Sequence, residues 1–409
     1  MACPGRVILM LSNGHGEDLI GAMVAHEVRA LRPSLDMVGF PLVGTGKPYR
    51  DAGVEVAGVQ KPMPSGGFAK HGIGLLARDI RAGLLGLTLR QVRHLRALRR
   101  EVEVAVCVGD AYPVLLAGLF VKRPVLCLST AKSEYIHGHR GIEKWLMKRL
   151  CGLVLARDEK TARALAGSGV NAAYAGNVMM DSFSITGESF GLSLEKKVVG
   201  ILPGSREEAY HNMVEMLEIV RRLAAMSGNG LDFLVGLAPS LDAESLAETV
   251  AKAGWRYTPG TQRDLEPGVV GWLCPDSGDG PHVTVTRGMF GDVLNVSNVI
   301  IGLSGTGNEQ AAGLGRPVVA FPAGGPQFNE KFARAQKRLL GEALALVESG
   351  GAEAVAREVM AILGDPARVA RMRRAGHERM GEQGAAARTA KIIVNYLDTG
   401  NWDAGNWEG

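Results

Sequence analysis

The sequence predicts an α/β protein made of two doubly wound parallel-sheet domains, and three observations carry that prediction. Short apolar runs alternate with helical patterns along the chain. The runs are continuously apolar rather than alternating, the pattern of strands covered by helices on both faces. The series is interrupted once, by the polar stretch TGESFGLSLEKK at 186–197, after which a new apolar run begins at once. A length of 409 residues fits two cores better than one.

In the first half the strand-like runs are RVILML (6–11), LDMVGF (35–40), VEVAVCV (102–108), PVLCLS (124–129) and LVLARD (153–158), with the longest helical stretch near 71–100. In the second half they are VVGILP (198–203), LDFLVGL (231–237), HVTVT (282–286), VIIGLS (299–304) and PVVAFP (317–322). Two successive β-α-β series of this kind build two sheets. We place the N-terminal domain at 1–188 and the C-terminal domain at 189–384. A last helix follows at 385–398, and 399–409 is a low-complexity tail with a GNW echo, expected to be disordered.

Composition narrows the function classes. Hydrophobic residues make up 46% and charged residues 22%, as in a globular protein, and the net charge is only +4. Basic residues are not interleaved with stacking aromatics, which are 5% of the chain, so no nucleic-acid partner is expected. The five cysteines (Cys3, Cys107, Cys127, Cys151, Cys274) form no CxxC pair. They suggest neither a disulfide framework nor a metal site and fit a reducing cytoplasm. No uncharged stretch reaches the roughly 18 residues of a spanning helix, and the apolar N-terminal run is too short for a signal sequence.

Ligands of doubly wound sheets bind beyond the carboxyl ends of the strands, and with two domains the expected site is the cleft between them. Four segments offer chemistry there. The loop SNGHGEDLIGA (12–22) follows the first strand and opens a helix. A dinucleotide fingerprint would need a glycine where Leu19 stands, so we reject that reading. Gly14 and Gly16 let backbone approach a ligand, and His15, Glu17 and Asp18 include candidate general bases. Asp18 could instead be a helix N-cap.

LPGSREE (202–208) ends a strand with Gly204, Ser205 and Arg206 at a helix start, a combination suited to phosphate. GLSGTGNEQAAGLGRPVVAFP (302–322) adds a second such turn at Ser304, Gly305, Thr306 and Gly307, with Glu309 and Gln310 able to hydrogen-bond ribose hydroxyls. The later stretch AGGPQFNEKFA contributes Gln327 and Asn329. Three strand-end turns of this kind point to a phosphate-bearing sugar or nucleotide. GTGKP (44–48) lacks the Ser or Thr of a P-loop, which argues against nucleotide hydrolysis. Finally, 70–101 reads as a basic amphipathic helix, either an ordinary solvated face or a surface that rests on anionic lipid.

These motifs resemble those of the two-domain GT-B glycosyltransferase superfamily that includes lipid-A-disaccharide synthase and the N-acetylglucosaminyltransferase of peptidoglycan synthesis. LPGSREE is similar to the synthase's LPGSR stretch, YAGNVMMDSF (174–183) to its G-H-P-x-x-D segment, SNGHGEDLIGA to its G-E-x-S-G-D-x-x-G-A loop, and LSGTGNEQAAGLGRPVV to its S-G-T-x-T-x-E segment. His15 is comparable to the His that ends the glycine loop of the peptidoglycan enzyme.

The resemblance implies two Rossmann-like domains facing a central cleft. The final helix crosses back to the N-terminal domain. A UDP-sugar co-substrate sits on the C-terminal domain, and no metal or other cofactor is required. It implies that Ser205, Arg206 and the amides of Gly305 to Gly307 serve the diphosphate, that Met289 and Phe290 lie near the base, and that Asp110 corresponds to an acidic catalytic residue. The family's ribose-binding Glu falls on Gln310, and Asn177 stands where the family often has His. The function expected is inverting transfer of a sugar, an N-acetylhexosamine, from a UDP-sugar to a lipid-linked or amphipathic acceptor, in the cytoplasm or at the inner face of the cell membrane. His15 or Asp18 is the expected base. A UDP-sugar 2-epimerase and a non-catalytic sugar-nucleotide-binding protein are the alternatives.

Overall fold

The computed structural model describes residues 7–61, 83–193, 195–228, 230–260, 266–325 and 327–402. The chain divides into two units, Met1–Ser182 together with Glu382–Gly409, and Phe183–Gly381. The stretch Phe183–Ser189 thus lies in the second unit.

In the first unit the five apolar runs form β1 (Val7–Ser12), β2 (Asp36–Pro41), β4 (Val102–Gly109), β5 (Val125–Ser129) and β6 (Leu153–Ala156); two-residue strands β3 (Glu55–Val56) and β7 (Ala172–Ala173) finish the edges. All pair in parallel in the order β3-β2-β1-β4-β5-β6-β7. Helices α1 (His15–Leu31) and α2 (Lys47–Asp51) follow β1 and β2. Helices α3 (Leu84–Leu98), α4 (Ala111–Leu116), α5 (Gly141–Leu150) and α6 (Glu159–Ala166) serve the later crossovers, and a π-helical turn, Ala117–Val121, extends α4. The buried apolar side chains split accordingly into a cluster around α1 on one face and a cluster containing Leu95, Val114, Met147 and Leu165 on the other. Chain progression reverses between β1 and β4, so the carboxyl ends of these two strands flank the switch point where open α/β sheets hold ligands.

In the second unit the predicted runs form β8 (Lys197–Leu202), β9 (Leu231–Leu237), β12 (Val283–Arg287), β13 (Val299–Gly302) and β14 (Val318–Ala320). Three strands were not predicted: β10 (Trp255–Pro259), β11 (Val269–Pro275) and β15 (Leu344–Leu346). The order is β10-β11-β12-β9-β8-β13-β14-β15. The sheet is not wholly parallel, because β11 runs against both of its neighbours. Helices α7 (Glu208–Ser227), α8 (Ala243–Ala251), α9 (Phe290–Val296), α10 (Gly305–Gly313), α11 (Glu330–Leu340), α12 (Gly351–Gly364) and α13 (Pro366–Met380) complete the unit. Here the switch point lies between β8 and β13.

The last helix, α14 (Ala385–Thr399), packs on α1 in the first unit. Its start is held by Asp181, whose carboxylate accepts the amides of Gly384 and, at 2.6 Å, Ala386. A carboxylate satisfies these otherwise unpaired donors and complements the positive end of the helix. Replacing Asp181 by Ala should cost about 1–2 kcal/mol, as for a lost helix cap. That is a fall of about 2–8 °C in the melting temperature of a unit this size, measurable by calorimetry. Of the stretch expected to be disordered, the structure describes residues through Trp402. Its ring stacks on Tyr396 with centroids 3.8 Å apart, and 403–409 lie outside the described residues.

Candidate functional site

The second unit carries a cavity of about 290 Å³ at the carboxyl ends of β8, β9, β12 and β13. Four loops meet there. From β8 come Gly204 and Ser205, and from β13 come Ser304, Thr306, Gly307 and, in the first turns of α10, Gln310. Met289, Phe290 and Leu237 make an apolar wall from the β12 and β9 ends.

Each turn has a local cause. Gly204 has φ 116°, a conformation a side chain would strain, and it brings the loop next to the Leu303 carbonyl. Ser304 is the N-cap of α10, accepting from the Gly307 amide at 3.2 Å. Behind this turn the buried Asn308 donates to the Gly302 carbonyl and to Gln336 Oε1, both at 2.9 Å. Gln336 in turn donates to the Ser304 and Gly305 carbonyls at 3.2 and 2.8 Å. The loop is therefore held from within, leaving α10 no carboxylate in its first turn and its N-terminus open to an anion.

One residue is about 100° of helix rotation. Accordingly Gln310 lines the cavity, whereas the half-buried Glu309 does not. Arg206 is exposed and stands outside the cavity wall. With its side-chain amide oriented oxygen-first, Gln327 accepts from Arg206 Nε at 2.9 Å and donates to Glu208 Oε1 at 3.3 Å. The Gln327 backbone amide also donates to Glu208, which ties the LPGSREE loop to Gln327 through a second bond. Asn329 caps α11, accepting from the Phe332 amide at 3.0 Å, and does not line the cavity.

Sequence reasoning missed Arg287 in the cavity wall, Gln336 beneath the turn, and Asp292. The buried Asp292 carboxylate collects the amides of Thr186 and Gly187, both at 2.8 Å, and of Glu188 at 3.2 Å, pinning the polar stretch read as a linker. The signal available was Asp292 in an otherwise apolar helix, MFGDVL.

In the first unit the glycine loop divides its residues between two environments. Gly14, with φ 153°, is the N-cap of α1, so Asp18 is not. Asp18 is 1% exposed, and Ser12 Oγ donates to its Oδ1 at 2.5 Å. The Tyr49 hydroxyl donates in turn to Ser12 at 3.0 Å, and burial pushes the Tyr49 phenol well above its ordinary range. Glu17 is also buried, against Gly109. Two carboxylates thus occupy the first turn of α1, which disfavours phosphate at this helix start.

His15 and Gly16 are exposed, and His15 lines an open cavity of about 660 Å³ with Leu19, Met23, His26, Lys47 and Asp181. Across the β1/β4 switch point, the buried Asn13 donates to Asp110 Oδ2 at 3.5 Å. Asp110 is half-buried, and its Oδ1 accepts from the Tyr112 amide at 2.9 Å as the cap of α4. At the next strand end Ser129 Oγ lies 2.9 Å from His139 Nε2, a buried pair that the sequence STAKSEYIHGH hid, because the partners are ten residues apart. Burial holds the His139 imidazole below its usual pKa.

Asn177, at the position where the resemblance often has His, is buried and caps a 3₁₀ turn by accepting from the Met179 amide at 3.2 Å.

No family model matches the chain. Solved structures that cover nearly all of it define the fold. The calicheamicin glycosyltransferase CalG4 superposes with a TM-score of 0.60 at 16% identity, covering 97% of this chain and 99% of its own. The UDP-GlcNAc 2-epimerase of Neisseria meningitidis, solved with UDP-GlcNAc, gives 0.59 at 15% identity, covering 96% and 99%. The fold is therefore GT-B, two α/β domains, one with an all-parallel sheet and the other with a mostly parallel one.

Curated proteins named lipid-A-disaccharide synthase match in sequence. That of Syntrophus aciditrophicus is 23% identical over 94% of both chains, and that of Geobacter sulfurreducens is 25% identical over 96% of this chain and 97% of its own. The match to the Trichlorobacter lovleyi protein, 25% over 254 residues, spans 59% of that protein. The chain is a divergent relative of lipid-A-disaccharide synthase.

Proposed function

We propose that the protein is an inverting glycosyltransferase that moves a sugar from a UDP-sugar to a lipid-linked or amphipathic acceptor. The observation that carries this reading is the second-unit cavity. It joins an open helix N-terminus, a Gly-Ser turn and an apolar wall at a switch point, the requirements of a nucleoside diphosphate. The sequence relatives, by their name, favour transfer over epimerisation. An N-acetylhexosamine is the sugar we would test first.

In the displacement, the acceptor hydroxyl oxygen bonds to the anomeric carbon. The bond from that carbon to the diphosphate oxygen breaks with its electron pair leaving on the phosphate. The hydroxyl proton passes to a carboxylate base. Arg206 and the α10 amides would carry the leaving charge without a metal or other cofactor. The sequence named His15 or Asp18 as the base; of its three catalytic candidates, His15, Asp18 and Asp110, we assign the role to Asp110, a half-buried carboxylate oriented through Tyr112 and Asn13. The carboxylate of Asp18 is committed to Ser12. His15 suits acceptor binding in the first-unit cavity.

Replacing Arg206 by Ala should weaken UDP-sugar binding about 10- to 100-fold, the worth of a charged hydrogen bond. Calorimetric titration with UDP-GlcNAc checks this. Unchanged affinity would remove Arg206 from the site, and product formed from UDP-GlcNAc without acceptor would favour the epimerase.

No helix among the described residues is long and apolar enough to cross a membrane. A peripheral contact is supported by one face of the first unit. Exposed Leu89, Leu119, Ile142 and Trp145 lie on α3, the π-helical turn and α5, all on the same side of the sheet. The two helices also carry exposed Arg90, Arg93 and Arg96 on α3 and Lys148 and Arg149 on α5. Of the basic stretch read from sequence, 70–82 lies outside the described residues. Trp145→Ala should weaken binding to vesicles containing anionic lipid roughly tenfold in a flotation assay, with nucleotide binding intact.

A further inference from the structure

We infer that Arg287 is a second diphosphate-binding cation, a role no motif assigned to it; the inference rests on the cavity of the second unit being the nucleotide site. Among the described residues it is the only basic side chain lining that cavity. It ends β12, and its guanidinium does not reach a carboxylate: no salt bridge among the described residues includes it. One Nη donates to the Leu241 carbonyl, and the buried Nε has no partner among the described residues. A half-buried guanidinium that meets no carboxylate is incompletely compensated, and a phosphate in the cavity that its side chain lines would supply the counter-charge.

The anchor also sets the direction. Leu241 follows Ser240, whose hydroxyl donates to the Ser205 carbonyl at 2.7 Å. The Arg287 head is thereby tied to the loop beside the Gly204–Ser205 turn rather than standing alone at the β12 end. Its fixed fork of donors suits phosphate oxygens, and its charge is permanent. Arg206 approaches from the rim, held by Gln327, so the two guanidinium groups would meet the diphosphate from different loops.

The test compares uridine, UMP and UDP binding by calorimetry in wild type, Arg287→Gln and Arg287→Lys, with thermal melting as the folding control. We expect Arg287→Gln to lower UDP affinity about 10- to 100-fold while uridine binding is unchanged, and Arg287→Lys to restore part of the loss. Equal losses for uridine and UDP, or no loss for UDP in a folded variant, would overturn the inference. Failure of the wild type to bind any of the three would instead overturn the nucleotide site itself.

Discussion

Asp110→Asn is expected to lower turnover about 10²- to 10⁴-fold, the range of a lost general base, while leaving donor affinity unchanged. The substitution is nearly isosteric. The Asn oxygen can still cap the Tyr112 amide, so α4 keeps its start and the loss is chemical rather than structural. Two companion variants give the contrast. His15→Gln should raise the KM for the acceptor more than it lowers kcat, because His15 lines the first-unit cavity and, among the described residues, no partner orients it as a base. Asp18→Asn should act on stability, since Ser12 then donates to a neutral oxygen in a buried site. Steady-state kinetics with saturating donor separates the three. Full activity in Asp110→Asn with total loss in His15→Gln would transfer the role of base to His15.

Gly376→Ala is expected to give the largest loss of stability. A methyl group there would stand 1.9 Å from the Ala312 carbonyl oxygen, and the obstacle is helix backbone, not a flexible side chain. Helices α10 and α13 must separate to admit it. Overpacking of this kind costs about 1–3 kcal/mol or more, or about 2–12 °C in melting temperature for a unit this size. The consequence reaches the site, because α10 carries Gly305–Gly307 and Gln310. UDP-GlcNAc affinity should fall in the variant that remains folded at low temperature. A melting temperature unchanged within error would show that the helices are less tightly apposed than the structure places them.

Much of this architecture was legible because buried parallel strands are written as continuous apolar runs. All ten such runs are strands in the structure. The missed strands lack that signature. β11 alternates buried and half-buried residues, as an antiparallel strand with one more exposed face does, and β3, β7 and β15 have only two or three residues. Part of the candidate site was legible where glycine turns follow strands: Gly204, Ser205, Ser304, Thr306 and Gly307 line one cavity.

Other parts needed three dimensions. Asn329 resembles a ligand residue in sequence, yet its oxygen is used as a helix cap. Asp18 looked accessible on a glycine loop, but the turn of α1 directs it inward to Ser12. Arg287, Gln336 and Asp292 belong to no motif, and their roles depend on partners distant in the chain.

The most direct test of the donor site is hydrogen–deuterium exchange of the intact protein with and without UDP-GlcNAc. Exchange should slow in 203–207 and 304–310, where amides of the two turns would bind the diphosphate, with weaker protection at 287–290. Protection confined to the first unit, or none at millimolar UDP-GlcNAc, would contradict a donor site there.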